Sequence, residues 1–340
     1  SPFLLGVLAD RFFSVEKLLG ILHLTGGALL YIMAQIQVFE WFYPVVLIYV
    51  LCFLPTFSLS NALCFHHIED TKRDFPRVRV WGTISWIIAG LIVGWLQIED
   101  QATPFYIAAA FSLVQGLYSF TLPETPPQER QENLWQSLRG PEMRALFRDR
   151  SLIVMIIALT LICLPLSYYY CFVNSFLKDL GVVNAAGKMS LGQVTEILLM
   201  LALPWFFKIW RLRTIIFIGL LSWGVRYGCF IVGIHYDSEI WYILGLLLHG
   251  VDYIFSMLSA QIYLDTRVPT HLRSTGQGFY SLLTLGVGVF IGSYIAGQSV
   301  TQHTLATNVH DWAQIWWFPF WFGVAVAFGF LFLFKSRQKA

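Results

Sequence analysis

Charge is scarce in this chain. Asp, Glu, Lys and Arg make up only 12% of its 340 residues, about half of the ~25% that a soluble domain carries. A net charge of +2 gives no electrostatic case for nucleic-acid binding. Cysteine is sparse as well. Cys52, Cys64, Cys163, Cys171 and Cys229 all fall in apolar segments and none belongs to a Cys-x-x-Cys pair, so neither a disulfide framework nor a zinc site is indicated. His-Glu-x-x-His, Gly-x-Ser-x-Gly and a nucleotide-phosphate loop are missing, which leaves an intramembrane enzyme without its machinery. His66 and His67 are adjacent at a helix end and read as an interfacial pair, not a metal site. No soluble signalling domain of the kind a sensor carries is present, and the sequence opens at Ser1 with neither an initiator methionine nor a signal-peptide pattern.

Apolar residues fill the space that charge leaves. The chain is 57% hydrophobic, with a mean hydropathy of +0.64. Runs of about 20 apolar residues recur, each long enough to cross the hydrocarbon of a bilayer as a helix. A soluble core of this length would alternate apolar and charged faces instead. The expectation is an all-α polytopic membrane protein. A short apolar helix end over 1–9 is followed by helices over about 15–38, 42–66, 79–97 and 103–122. Six more follow, over about 151–176, 189–208, 213–234, 239–264, 273–298 and 313–334. Between the two sets lies a polar stretch, 123–150, with Pro-Glu-Thr-Pro-Pro and several arginines. With the loop after Gly6 assigned to the cytoplasm, all of the 22 basic residues except Lys178, Lys188 and Arg226 fall on the cytoplasmic side, which is the positive-inside pattern.

One stretch organises the chain. Residues 69–83, Glu-Asp-Thr-Lys-Arg-Asp-Phe-Pro-Arg-Val-Arg-Val-Trp-Gly-Thr, form a basic loop leading into a long apolar helix, with Arg79 and Thr83 sharing one face. Asp265-Thr266-Arg267, a proline, Arg273 and Gly276 echo it late in the chain. The helix count repeats with a similar offset, which predicts two related halves. Three segments follow: an incomplete N-terminal transmembrane bundle over 1–122, a central cytoplasmic loop over 123–150 and a C-terminal six-helix bundle over 151–340. Matching the halves leaves the first helix and most of the second absent from the start, roughly 40–50 residues at about 20 per span.

Polar residues inside apolar spans mark the candidate sites. Gln193 and Glu196 lie three apart, on one face of an otherwise apolar helix. A carboxylate at that depth faces a cavity or a partner, and such a place suits a group that loads and releases a proton. The amide of Gln193 can donate and accept, as recognition of ribose hydroxyls or base edges requires. His249, Asp252, Tyr253, Ser256 and Ser259 form a polar stripe that must avoid lipid, either as a ligand face or as interhelical hydrogen bonds. His249 and Asp252 also read as a proton-linked pair. Ser167, Tyr170, Cys171 and Asn174 form a similar stripe. Tyr168, Tyr169 and Tyr170 offer rings for a planar base or for an interfacial belt. Arg79 either binds a ligand oxygen or pairs with an acid at the cytoplasmic gate, and Asp10 and Arg11 carry a gating role. Arg226 snorkels or pairs with an acid. Glycines at 82, 90, 94, 286, 288 and 292 allow close helix approach.

Gly6-x-Leu8-Ala9-Asp10-Arg11 resembles the signature loop of the major facilitator superfamily, with Phe12-Phe13-Ser14 replacing its usual basic continuation. A narrower resemblance, to the bacterial nucleoside:proton symporter family, covers most of the chain. It is carried by Leu54-Pro55-Thr56 with Asn61, Asp74-Phe75-Pro76 through Arg79-x-Trp81-Gly82-Thr83, and Gln193-x-x-Glu196. Trp223-x-x-Arg226, Gln261-Ile262-Tyr263 and Arg273-Ser274-x-x-Gln277-Gly278 complete it. The resemblance implies a major-facilitator-type fold of two six-helix bundles and nucleoside uptake driven by protons. Arg79, Thr83, Gln193 and Glu196 match the family's ligand-binding positions. The chain departs where family members commonly carry an aspartate two positions after Asp252, here Ile254. Ser167 and Tyr170 stand where a Gln and an Asn can contact nucleoside.

The expectation is therefore a secondary active transporter that imports nucleosides by proton symport through alternating access. A proton-coupled sugar or drug carrier of the same superfamily is the alternative within transport, and a membrane sensor or intramembrane enzyme is the disfavoured alternative class. Arg79, Thr83, Gln193, Glu196, Tyr170, His249 and Tyr253 are assigned to substrate, Glu196 and Asp252 to proton coupling, and Asp10 and Arg11 to gating. No cofactor or metal is expected beyond the coupling proton, and no nucleic acid. The expected setting is a monomer in the lipid of the bacterial inner membrane, with a cytoplasmic C-terminus. A green-fluorescent-protein fusion to that terminus should fluoresce and an alkaline-phosphatase fusion should be inactive. The reverse pattern would invert the topology.

Overall fold

The computed structural model describes residues 2–96, 98, 101–127, 149–305 and 309–335. Most of the expected central loop, 128–148, lies outside them, as does the side chain of Arg11. Among the described residues the architecture is helical with no β-strand. The helices are α1 (Pro2–Arg11), α2 (Val15–Met33), α3 (Phe39–His67), α4 (Thr71–Leu96), α5 (Thr103–Ser119), α6 (Arg150–Asp179), α7 (Ala185–Ile209) and α8 (Leu212–His235). They continue with α9 (Glu239–Arg267), α10 (Arg273–Gln302) and α11 (Trp312–Leu333). Eight of these are long and apolar enough to cross a membrane. Large apolar side chains such as Trp41, Phe111, Phe290 and Phe332 point outward, as a lipid solvent permits.

Local chemistry explains the helix ends. Asp149 accepts the amides of Ser151 (2.9 Å) and Leu152 (3.2 Å) to cap α6. Asp311 accepts the Gln314 amide to cap α11, so each cap satisfies donors that would otherwise be orphaned. One boundary departs from expectation. The helix expected from 79 starts at Thr71 and runs through Pro76, so the basic stretch is its first two turns and not a loop. Pro76 is the sixth residue of this helix, past the first four amides that lack intrahelical partners, so it forfeits one backbone bond, that to the Lys72 carbonyl. The helices α9 and α10 each contain a π-helical segment, Tyr253–Leu258 and Leu282–Gly288. Such segments re-aim side chains within a helix.

The contacts form two compact units. One is drawn from Ser1–Thr71, Ser85–Leu146 and Leu264–Leu282, the other from Lys72–Ile84, Phe147–Tyr263 and Leu283–Ala340. In the first, Ala9, Val15, Leu18, Leu19, Leu22 and Leu59 make a buried cluster. The start of α2 is tied down by Thr125, whose amide donates to Glu16 Oε2 (3.0 Å) and whose carbonyl accepts the Val15 amide (3.2 Å). His67 Nε2 meets Thr125 Oγ1 at 2.8 Å, which accounts for one of the adjacent histidines by local structure.

The second unit has an aromatic core in which Phe176 lies against Phe230, Tyr242, Trp312 and Trp316, with ring centroids 5.2–5.5 Å apart. Its helices meet where side chains vanish. A Cβ at Gly219 would strike the Ser256 amide of α9, and one at Gly250 the backbone of Thr195 on α7. Gly288 and Gly292 approach the α6 backbone as expected, whereas a Cβ at Gly90 would meet nothing within 4 Å among the described atoms. The close-approach role therefore does not extend to Gly90. Gly219→Leu should lower stability by about 1–3 kcal/mol through overpacking. Gly329→Leu, with nothing within 4 Å of its Cβ position, is the control. Thermal unfolding in detergent measures both, and equal midpoints would remove the packing argument.

Candidate functional site

The second unit gathers the polar residues that its apolar helices carry. The i, i+3 spacing of Gln193 and Glu196 puts both on the inner face of α7, where they are buried. The stripe on α9 turns His249 and Asp252 to the same interior, at 2% and 0% exposure. From α8 comes Arg226, fully buried and one turn beyond Trp223. From α4 come Arg79, half-buried, and Thr83, buried.

These side chains form a chain of contacts. Thr83 Oγ1 donates to Glu196 Oε1 at 2.8 Å. Glu196 Oε2 lies 3.7 Å from His249 Nε2, and His249 Nδ1 is 3.7 Å from Asp252 Oδ1. Arg226 Nη2 stands 2.5 Å from Asp252 Oδ2 and 3.0 Å from His249 Nδ1. The Asp252 contact is a close ion pair without an aligned N–H, since neither carboxylate oxygen has a hydrogen-bond donor in line. Arg226 therefore pairs with an acid and does not snorkel.

Aromatic rings enclose the charges. Tyr169 stacks on His249 with centroids 5.1 Å apart and planes 12° apart. The guanidinium of Arg226 sits 4.0 Å from the Tyr169 ring centroid and 4.9 Å from that of Trp223, so cation–π attraction supports a cation removed from water. Trp223 Nε1 donates to Ser256 Oγ at 3.4 Å, and Ser256 donates in turn to the Asp252 carbonyl.

The remaining expected residues divide. Tyr253, half-buried, stacks loosely on His249 and lies near the Arg79 charge. The Arg79 guanidinium folds over Gly82, occupying the space a Cβ would need. Tyr170 is 57% exposed and meets His249 edge-on, whereas Tyr168 and Tyr169 are interior. With its amide oriented to suit its surroundings, oxygen and nitrogen exchanged, Gln193 donates to the carbonyls of Met189 (2.8 Å) and Ser190 (3.2 Å) on its own helix. Ser167 bonds Cys163 and Val289 carbonyls, which is helix packing. No pattern singled out Tyr169 as the partner of His249, because a stacked pair on two helices leaves no spacing signal in one chain.

Asp10 belongs to the first unit. It is buried, and its two oxygens accept the amides of Ser274 (3.1 Å) and Thr275 (2.6 Å) at the N-terminus of α10. An acid there satisfies orphan donors and complements the helix dipole. Burial pushes its carboxyl up to about 6, with the hydrogen bonds from Thr275 and Ser274 pulling the other way. In the same unit Arg273 pairs with Asp265 (2.8 Å) and donates to the Phe65 carbonyl (2.6 Å) near the end of α3. The sequence echo around Arg273 pointed to this residue without revealing its partners.

Seen as chemistry, the α4–α7–α9 cluster offers one acid with a hydroxyl donor on one oxygen and an imidazole beside the other. Tyr170 and Tyr253 add aromatic faces. Hydroxyls and a planar ring are the features such a set can recognise. Among the described residues no cluster of metal-ligand side chains occurs.

Comparison with known proteins adds independent findings. The family described as nucleoside H+ symporters matches residues 1–339. YegT of Escherichia coli (strain K12), a nucleoside transporter by provisional assignment, is 36% identical over 353 aligned positions, covering 100% of this chain and 83% of its own length. The nucleoside permease NupG of the same organism is 28% identical, covering 99% of this chain and 84% of its own. The crystal structure of a mutant of the nucleoside transporter NupG superposes with a TM-score of 0.76 at 28% identity, over 98% of this chain and 87% of that one.

Asp10→Ala removes the acceptor of two buried amides, a loss of about 1–3 kcal/mol locally. Hydrogen exchange at Ser274 and Thr275 should then speed up by about tenfold or more, with the aromatic core of the second unit unaffected. Unchanged exchange at those amides would show that Asp10 does not hold α10.

Proposed function

The chain belongs to the nucleoside H+ symporter family, and from that membership we propose that it imports nucleosides by proton symport through alternating access, on a major-facilitator-type fold. The carrying observation is the buried contact of Glu196 with Thr83 and His249. A carboxylate among apolar helices, bonded to a hydroxyl and facing an imidazole, serves two ends. It accepts hydrogen bonds from a polyol such as ribose, and it binds a proton when its surroundings change.

Arg79, Thr83, Gln193 and Glu196 are the ligand residues of this reading, with Tyr170, His249 and Tyr253 as the aromatic wall. Glu196 carries the proton, with Asp252 as its rival. The hydrogen bonds of Asp10 to the start of α10 support a gating role for that acid, and the signature loop assigns Arg11 to the same task. Alternating access requires two states of unequal affinity for substrate and proton. A group whose partners differ between the states supplies that coupling. The basic residues of alternate loops support a cytoplasmic C-terminus in a bacterial inner membrane, and the site as read is complete within a monomer.

Proteoliposome uptake of radiolabelled nucleosides tests the reading. Arg79→Ala should cut binding by about 10–100-fold, the loss expected for a charged hydrogen bond. Unchanged uptake would remove it from the site. Glu196→Gln keeps the shape but cannot release a proton, so it should exchange nucleoside across the membrane without accumulating it. Accumulation by this variant, with proton entry intact, would overturn the assignment.

A further inference from the structure

His249 is surrounded by titratable and charged groups from four helices. Glu196 of α7 faces Nε2 at 3.7 Å. Arg226 of α8 meets Nδ1 at 3.0 Å, and Asp252, on its own helix, lies 3.7 Å from the same nitrogen. Tyr169 and Tyr170 of α6 and Tyr253 of α9 cover the ring. Thr83 and Arg79 of α4 act on this group through Glu196 and Tyr253. Arginine offers only donors, so in the Arg226–His249 contact Nδ1 must be the acceptor. An imidazole that accepts at Nδ1 carries its proton at Nε2, the nitrogen that faces Glu196. The same guanidinium nitrogen lies against Asp252, and both side chains of that pair are fully buried.

We propose that Arg226 is the positioning residue of proton coupling in this protein: it holds His249 as the neutral Nε2–H tautomer aimed at Glu196 and ties Asp252 up as its own counter-ion. The proposal rests on the symport reading above and decides between its two proton carriers. The exchangeable proton belongs to Glu196. His249 is its oriented donor, because a proton on Nδ1 would confront an Arg226 N–H. Asp252 is a fixed partner, since a buried guanidinium left without it would be an uncompensated charge. The one covalent change is the O–H bond of the Glu196 carboxyl, formed with a proton taken from water on one side of the membrane and broken when that proton returns to water on the other.

Two measurements test this. The first is 15N NMR of the purified protein labelled at histidine, with His249→Gln assigning the resonance by its disappearance. The expected signal is the Nε2–H tautomer at neutral pH, giving way to a mixture in Arg226→Gln. An Nδ1–H tautomer or an imidazolium in the unaltered protein would overturn the proposal. The second is second-site rescue in proteoliposomes. Asp252→Asn alone leaves Arg226 uncompensated and should lose accumulation. Adding Arg226→Gln should raise it by about tenfold or more, to the reduced level of Arg226→Gln alone with its mixed His249 tautomers, whereas the same addition to Glu196→Gln should recover nothing. A double Asp252→Asn, Arg226→Gln protein that exchanges nucleoside yet accumulates none, while Arg226→Gln alone still accumulates, would make Asp252 a proton carrier and sink the assignment. Failure of the unaltered protein to exchange nucleoside would instead sink the transport reading, leaving the tautomer result to stand by itself.

Discussion

A guanidinium withdrawn from water is the constraint on which the second unit depends. Moving an ion from water to a low-dielectric interior costs several kcal/mol even after relaxation, and a membrane span offers no water to soften that cost. Arg226 is tolerated because Asp252 lies 2.5 Å away, His249 accepts from it and Tyr169 lies beneath it. Each of those contacts comes from a different helix or a different turn. The pairing therefore fixes how α6, α8 and α9 must meet, and the glycines that permit the approach follow from it. Gly219 on α8 admits the α9 backbone at Ser256, and Gly250 on α9 admits that of Thr195 on α7.

The same constraint organises function. With Arg226 occupied by Asp252 and His249, Glu196 is the acid of the cluster whose partners are neutral donors: a hydroxyl from Thr83 and an imidazole. Neutral donors are exchangeable for water or for ligand hydroxyls at small cost, whereas a buried ion pair is not. The π-helical segment that begins at Tyr253 widens α9 just after Asp252.

The first unit shows charge used at helix ends. Asp10 accepts amides at the start of α10, and Arg273 donates to a carbonyl near the end of α3. Both place a charge where the helix dipole favours it. Such contacts are worth only a few kcal/mol in sum.

How much of this could be read beforehand differs by residue. The sparse charge, the recurring apolar runs and the alternation of basic loops determined a helical membrane protein, because the energy of transfer into lipid is written residue by residue. Helical spacing put Gln193 with Glu196 and His249 with Asp252 on common faces, and the motifs around them pointed to the family. The contents of those faces depended on packing. That Thr83 reaches Glu196, that Arg226 spans Asp252 and His249, and that Tyr169 stacks on the imidazole are contacts across 23 to 113 residues of chain, which no local period records. Gln193 carried the same periodic signal as Glu196, yet its amide turns back to its own helix. The start of α4 at Thr71 was likewise hidden, since a proline and a run of charges read as a loop until neighbouring helices supply the rest of the turn. Local periodicity determines which face a residue occupies. Only the tertiary structure decides what stands opposite, because a buried polar group is settled by its partner and not by its own position.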